Sequence, residues 1–224
     1  MKLPAKPQST PAAPAPGPLE RAFVQALYRN LFGREAGAAG LTACLVFLRA
    51  GGMRPQVAEG FWDSVDHRGP EVDQFHANYL HRAANALGRA SCVRALLGGV
   101  SEAVVAAGFL ASTEYRQVHA SPADYLFGLY ADVLGCAPDP DGLAAWQAAA
   151  QAGLGREALA AGFLASPEQH RQSADRCYVD YLGRAGEPAG VAGWLAALLG
   201  GRLAPHEVAQ ALLAFDEFYN WATR

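Results

Sequence analysis

The chain has 224 residues, of which 51% are hydrophobic and 17% charged, a balance that belongs to globular proteins able to bury a sizeable core. Eighteen basic residues against 21 acidic ones leave a formal net charge of -3, too little positive charge to draw in a phosphate backbone, so nucleic acid is not an expected partner. No apolar run approaches the ~20 residues of a transmembrane helix. The apolar set is dominated by Ala and Leu, with no Ile, which favours helices over strands.

Residues 1–18 carry Pro4, Pro7, Pro11, Pro14, Pro16 and Pro18 among Ala, Lys and Ser, and read as a Pro/Ala-rich arm or linker, either solvated or docked on a neighbour. This stretch lacks the apolar core of a secretory signal peptide. Beyond it the sequence repeats itself. Aligned on Gly40, Gly88, Gly142 and Gly190, the copies are separated by 48, 54 and 48 residues, a period typical of helical arrays. A tyrosine stands twelve residues before the glycine in three units (Tyr28, Tyr130, Tyr178), and a second glycine five after it (Gly33, Gly135, Gly183). The second unit is read as keeping Tyr79 in a segment three residues shorter.

Each unit reads as about three helices. The first spans Phe23–Phe32, Phe75–Arg82, Tyr125–Leu134 or Arg176–Leu182, with apolar residues three and four apart, and stops at a glycine that tolerates left-handed backbone. The second starts after Gly37, Asn85, Asp139 or Glu187, with Pro140 and Pro188 at its first position, and ends at Gly51, Gly99, Gly153 or Gly200. The third is opened by Pro55, Ser101 and Pro205 and contains Gly60, Gly108 and Gly162. A helical glycine costs roughly 0.5 to 1 kcal/mol relative to Ala, so the recurrence implies close approach of a neighbouring helix. Ser166-Pro167-Glu168 then opens a short fourth segment, Glu168–Gln172, matched by Glu114–Val118.

The expected fold is therefore all-α: four helical repeat units packed as bundle pairs or a short array. Residues 19–119 are assigned to units one and two, and 120–224 to units three and four.

These residues resemble a bacterial repeat family, the domain of unknown function 4214. Its pattern is carried here by Tyr28 with FGR at 32–34, LGR at 182–184, GLAAW at 142–146, GVAGW at 190–194 and FLASTEY at 109–115. Cys44 and Cys92 depart from it where Trp146 and Trp194 stand in units three and four. The family is similar in fold and closing motif to the linker domains of phycobilisomes. The resemblance implies a non-enzymatic all-α module, leaning toward secreted or cell-surface bacterial proteins, with no catalytic, cofactor or metal residue to carry over.

The residues that invite chemistry have structural alternatives. Asp139 and Asp141 suggest calcium, but lack the further ligands of a binding loop and read as the cap and first turn of a helix. His67, His76, His81, His119, His170 and His206 show no ligand spacing, and no nucleophile sits in a catalytic motif, so no catalytic, cofactor-binding or metal residue is expected. Cys44, Cys92, Cys136 and Cys177 form no C-x-x-C pair, and their disulfide state stays open. Trp146 and Trp194 read as core, with truncation expected to cost about 3 to 5 kcal/mol, against a platform for stacking sugars.

Function is expected to be contact. The leading reading is a structural or adhesive protein–protein interaction element, a linker or scaffold that binds a protein partner or assembles with itself. The alternative is a glycan- or small-ligand-binding accessory module.

Overall fold

Cap chemistry sets the helix starts. In the computed structural model, which describes residues 17–223 and so leaves all but the end of the Pro/Ala-rich arm outside the described residues, the first unit contains α1 (Pro18–Phe32), α2 (Ala38–Arg49) and α3 (Arg54–Trp62). The second contains α4 (Val65–Leu80), α5 (Ala86–Leu97), α6 (Glu102–Leu110) and the short α7 (Thr113–Val118). The third has α8 (Pro122–Leu129), which continues as a π-helical turn over Tyr130–Leu134, then α9 (Pro140–Gln151) and α10 (Arg156–Leu164). The fourth has α11 (Pro167–Leu182), α12 (Pro188–Leu199), α13 (Pro205–Ala214) and α14 (Asp216–Ala222), and there is no strand among the described residues.

Asn85, Ser101, Ser112 and Ser166 accept hydrogen bonds from backbone N–H groups three residues on, supplying donors at helix starts with acceptors they would otherwise lack. The second helices end on left-handed glycines at Gly51, Gly99 and Gly153, and in the fourth unit on Gly201 rather than Gly200. The short fourth segment separates as α7 and α14. Elsewhere it runs unbroken into the next unit's first helix, so that α4 and α11 are each 16 residues long.

The second unit is not shortened. His76, twelve residues before Gly88, occupies the tyrosine position, and His81 takes the left-handed turn (φ 50°) where the other units have glycine. The packing shows the equivalence. Tyr28 meets Phe61 edge-on at 4.8 Å, Tyr130 meets Phe163 at 5.0 Å, and His76 meets Phe109 at 4.6 Å with its plane turned by 81°. Spacing was conserved across the repeats where residue identity was not.

The tyrosine also accounts for the glycine twelve positions later. A Cβ on Gly40 would collide with the hydroxyl of Tyr28, and one on Gly142 or Gly190 would lie 2.6 Å from that of Tyr130 or Tyr178. The third-helix glycines divide differently. Gly162 lies under the Trp146 ring, with an added Cβ 2.7 Å from Cη2, so close approach holds there. At Gly60 and Gly108 nothing stands within 4 Å, because cysteine replaces the tryptophan of the preceding helix in those units. Gly60→Ala and Gly108→Ala are each expected to stabilise the protein by roughly 0.5 to 1 kcal/mol, whereas Gly40→Ala loses about 1 to 3 kcal/mol. Urea midpoints of the three variants check this ordering, and equal losses at all three would refute it.

The apolar cores do not follow chain-order pairs. One core joins the first and fourth units: Phe23, Leu27, Leu41, Phe61 and Trp62 pack with Tyr178, Val191, Leu212, Leu213 and Phe218. The other joins the second and third, through Tyr79, Leu110, Tyr115, Leu129, Tyr130 and Phe163, with a small satellite of Val72, Val93 and Leu96 beside it. The third helices make the pairing, α3 against α13 and α6 against α10, because each buries a large apolar pair in its last turn: Phe61 and Trp62, Leu212 and Leu213, Phe109 and Leu110, and Phe163 with the half-buried Leu164. The division at 119/120 expected from chain order thus cuts through the second core.

Two elements connect these bundles. α4 begins beside the first core and supplies Tyr79 to the second, while α11 carries the chain back and supplies Ala174, Tyr178 and Leu182 to the first.

Candidate functional site

The repeated motif text resolves into a set of structural locks. The arginine that follows each first helix reaches the acidic residue opening the segment after the third: Arg34 pairs with Asp66, Arg82 with Glu114, and Arg184 with Glu217 through contacts of 2.5 and 2.7 Å. In the third unit Cys136 takes the arginine's place and its Sγ lies 3.7 Å from Glu168. Arg34 and Arg184 also lie over the rings of Tyr28 and Tyr178, at 5.0 and 5.2 Å. These pairs are largely exposed and screened by solvent, so their net contribution to stability is small. Their role is to tie the end of one helix to the start of another.

Most of the sequence candidates serve packing. Asp139 Oδ1 accepts from the Gly142 N–H at 2.7 Å, the cap expected of it, and Asp141 lies in the first turn of α9. Cys44, Cys92, Trp146 and Trp194 occupy one equivalent slot per unit, half-buried against the two cores. Trp146 stacks on Phe163 at 4.6 Å, and Trp194 Nε1 donates to the Tyr178 hydroxyl at 3.2 Å. The four cysteines are free thiols; burial pushes Cys177 up to about 12 and also raises Cys44 and Cys92. His170 is buried, and His81 and His119 lie 3.5 and 3.8 Å from Asp132, whose carboxylate accepts from the Tyr115 hydroxyl. Among the described residues no group of three or more His, Cys, Asp or Glu could hold a metal ion.

His67 and His206 belong to a different place. Between the two cores lies an open slot of about 610 Å3, lined along α4 by Glu71, Gln74, Phe75 and Asn78 and along α11 by Ser173, Arg176, Cys177, Asp180 and Tyr181. Trp62, His67, Glu102 and His206 also line it. Beside it sits Arg68, 4% exposed and held by three carboxylates. Its Nη1 donates to Glu71 Oε2 at 2.9 Å and Glu102 Oε1 at 2.6 Å, and its Nη2 donates to Asp63 Oδ1 at 2.9 Å. Trp62 Nε1 donates to the same Glu102 oxygen at 3.0 Å.

The cluster is electrostatically unbalanced. One buried guanidinium faces two carboxylates with little exposure, Glu71 and Glu102, besides the half-exposed Asp63. Burial, followed by the neighbouring Glu102 charge, raises Glu71 to about 7. The opposing pull of Arg68 does not offset them, because Arg68 is shared. Burial and then Arg68 lower His67 to about 4, so it stands neutral at pH 7 and adds no positive charge.

Sequence reasoning missed this cluster because each member has an ordinary local role. Glu102 reads as the acidic first turn after the Ser101 cap, and Arg68 and Glu71 as an i, i+3 pair on a helix surface. The usable signal was Arg-Gly-Pro-Glu at 68–71, where an interior proline interrupts an otherwise polar helix opening.

The architecture is that of an all-α protein, and no helix among the described residues is long and apolar enough to cross a membrane. The family comparison agrees with the motif: residues 106–173, from α6 through the third unit into α11, match the domain of unknown function DUF4214. No curated protein and no solved structure matches the chain.

Proposed function

We propose that this protein is a non-enzymatic helical repeat module, a linker or scaffold that makes structural or adhesive protein–protein contacts in a bacterial surface or assembly system. The observation that carries the reading is the outward face of the second helices. α12 contains no charged side chain, and its one polar side-chain atom, Trp194 Nε1, donates to Tyr178; it presents Ala189, Ala192, Ala196 and Leu199 to solvent. α2 does the same with Ala39, Ala43, Val46 and Phe47, α5 with Ala86, Leu87, Ala90 and Leu97, and α9 with Ala144, Ala145 and Ala148.

Such faces are largely apolar, interrupted by Arg94 on α5 and Asp141 on α9, and repeated once per unit, which suits the close approach of another helix or repeat. A glycan- or small-ligand-binding accessory module is the alternative, and its support is the polar slot between the cores.

The test places charge on the outward face. Ala192→Glu with Ala196→Glu leaves the thermal midpoint unchanged, since both positions are exposed. It abolishes the concentration-dependent assembly, or the retention of a native partner, that the unaltered protein shows by sedimentation. A protein that sediments strictly as a monomer and brings no partner from its native extract would sink the reading.

A further inference from the structure

The slot between α4 and α11 has the size of a ligand site, since pockets of roughly 300 to 1,000 Å3 hold small molecules. Its chemistry narrows the ligand. Arg68 binds Glu71 through Oε2 and Glu102 through Oε1, so among the described residues no N–H donor reaches the second oxygen of either carboxylate, and the two carboxyl groups face each other within hydrogen-bonding reach. Trp62, Phe75, Tyr79 and Tyr181 supply aromatic surface in the same space. Paired carboxylate oxygens beside aromatic rings recognise a compact cation, through charge-assisted hydrogen bonds on one side and ring faces on the other.

The charge balance points the same way. The groups around Glu71 are Arg68, Asp63 and His67 nearby in the chain, Glu102 on α6, His206 on α13, and Arg176, Cys177, Asp180 and Tyr181 on α11. Of the groups able to be positive, Arg68 is already shared among three carboxylates, Arg176 lies on the exposed rim, and His206 reaches Glu102 only at 4.0 Å. One buried carboxylate therefore has no cation of its own.

We propose that this slot binds a primary ammonium group, held by Glu71 and Glu102 with Trp62 and Tyr181 beside it. The shared chemistry belongs equally to a small free amine and to a lysine side chain offered by a partner. In the empty slot a proton on Glu71 does what the ammonium would do, so the two compete for one carboxylate. Binding thus releases that proton, and affinity rises with pH through the neutral range. The site is separate from the outward helix faces, so its failure leaves the interaction reading standing, and the reverse.

The experiment titrates the full chain with n-butylammonium chloride and, separately, with the acetylated amide of Gly-Lys-Gly. The readout is the indole N–H resonance of Trp62, assigned by its loss in Trp62→Phe. Both probes are expected to shift that resonance saturably, about tenfold more tightly at about pH 8 than at about pH 6, as expected for competition with a proton near pH 7. In Glu71→Gln, which keeps the neutral shape of the protonated acid, the pH dependence vanishes and binding falls to the weak level. Glu102→Gln provides an independent variant.

Binding of n-butylammonium alone assigns the slot to free amines, and binding of the lysine peptide as well assigns it to a partner's side chain. No shift with either amine overturns the proposal. So does an equal response to n-butanol or methyl α-D-glucoside, or an affinity indifferent to pH.

Discussion

Arg68→Met is expected to destabilise the protein by about 3 to 5 kcal/mol, the loss typical of leaving buried carboxylates without their counter-ion. Arg68 is 4% exposed, and its guanidinium is the direct partner of Glu71, Glu102 and Asp63. Removing it strands two carboxylates in a poorly solvated place, and methionine restores volume without restoring charge. The same account makes a second demand. With Glu71→Gln and Glu102→Gln added, the loss falls to less than half, because neutral amides need no cation. Urea unfolding of the single and triple variants measures both quantities. A single-variant loss under about 1 kcal/mol would place the cluster with ordinary surface ion pairs.

Phe163→Ala is expected to cost a similar amount, about 3 to 5 kcal/mol, for a different reason. The ring is fully buried, 5.0 Å from Tyr130 in an edge-to-face contact and 4.6 Å from Trp146 in a stack. Its loss empties a site that the two neighbours cannot refill without moving off the third-unit core. Trp146 fluorescence should shift to the red as the indole loses its cover, reporting the change in the native state. Trp146→Ala itself is the milder change, about 2 to 3 kcal/mol and less than core placement implied, because the ring is half-buried. An unaltered unfolding midpoint in Phe163→Ala would remove this phenylalanine from the core.

How much of this was legible in the sequence depends on the range of the signal. Caps act over three residues, and Asn85, Ser101, Asp139 and Ser166 all open helices as their types predict. The tyrosine and glycine positions were legible as a spacing, but their meaning was not. That Tyr28 stands against Gly40 is a contact between two helices, and His76, which has the tyrosine's spacing from Gly88, shows the tyrosine's role only through its contact with Phe109.

The pairing of units lay further beyond reach. A period of 48 or 54 residues says which segments are alike, not which are neighbours, and apolar faces as similar as those of α3, α6, α10 and α13 fit more than one partner. The slot was hidden for the same reason. Glu71 and Glu102 come from two helices of the second unit and His206 from the fourth, and nothing local marks a residue that becomes buried only when two cores meet.

The sharing of one core by the first and fourth units has a consequence for how the protein comes into being. Phe23 rests against Phe218 with ring centroids 6.1 Å apart, yet 195 positions separate them along the chain. At synthesis rates of about 5 to 20 residues per second, about 10 to 40 s separate the synthesis of Phe23 from that of Phe218. For that interval Phe23, Val24 and Leu27 have the cover of α2 and α3 but not that of the fourth unit, while the second and third units are able to close on each other. The core shared by the second and third units is thus complete before the one shared by the first and fourth, and the first unit holds a half-built core meanwhile, a natural substrate for chaperones that hold emerging chains.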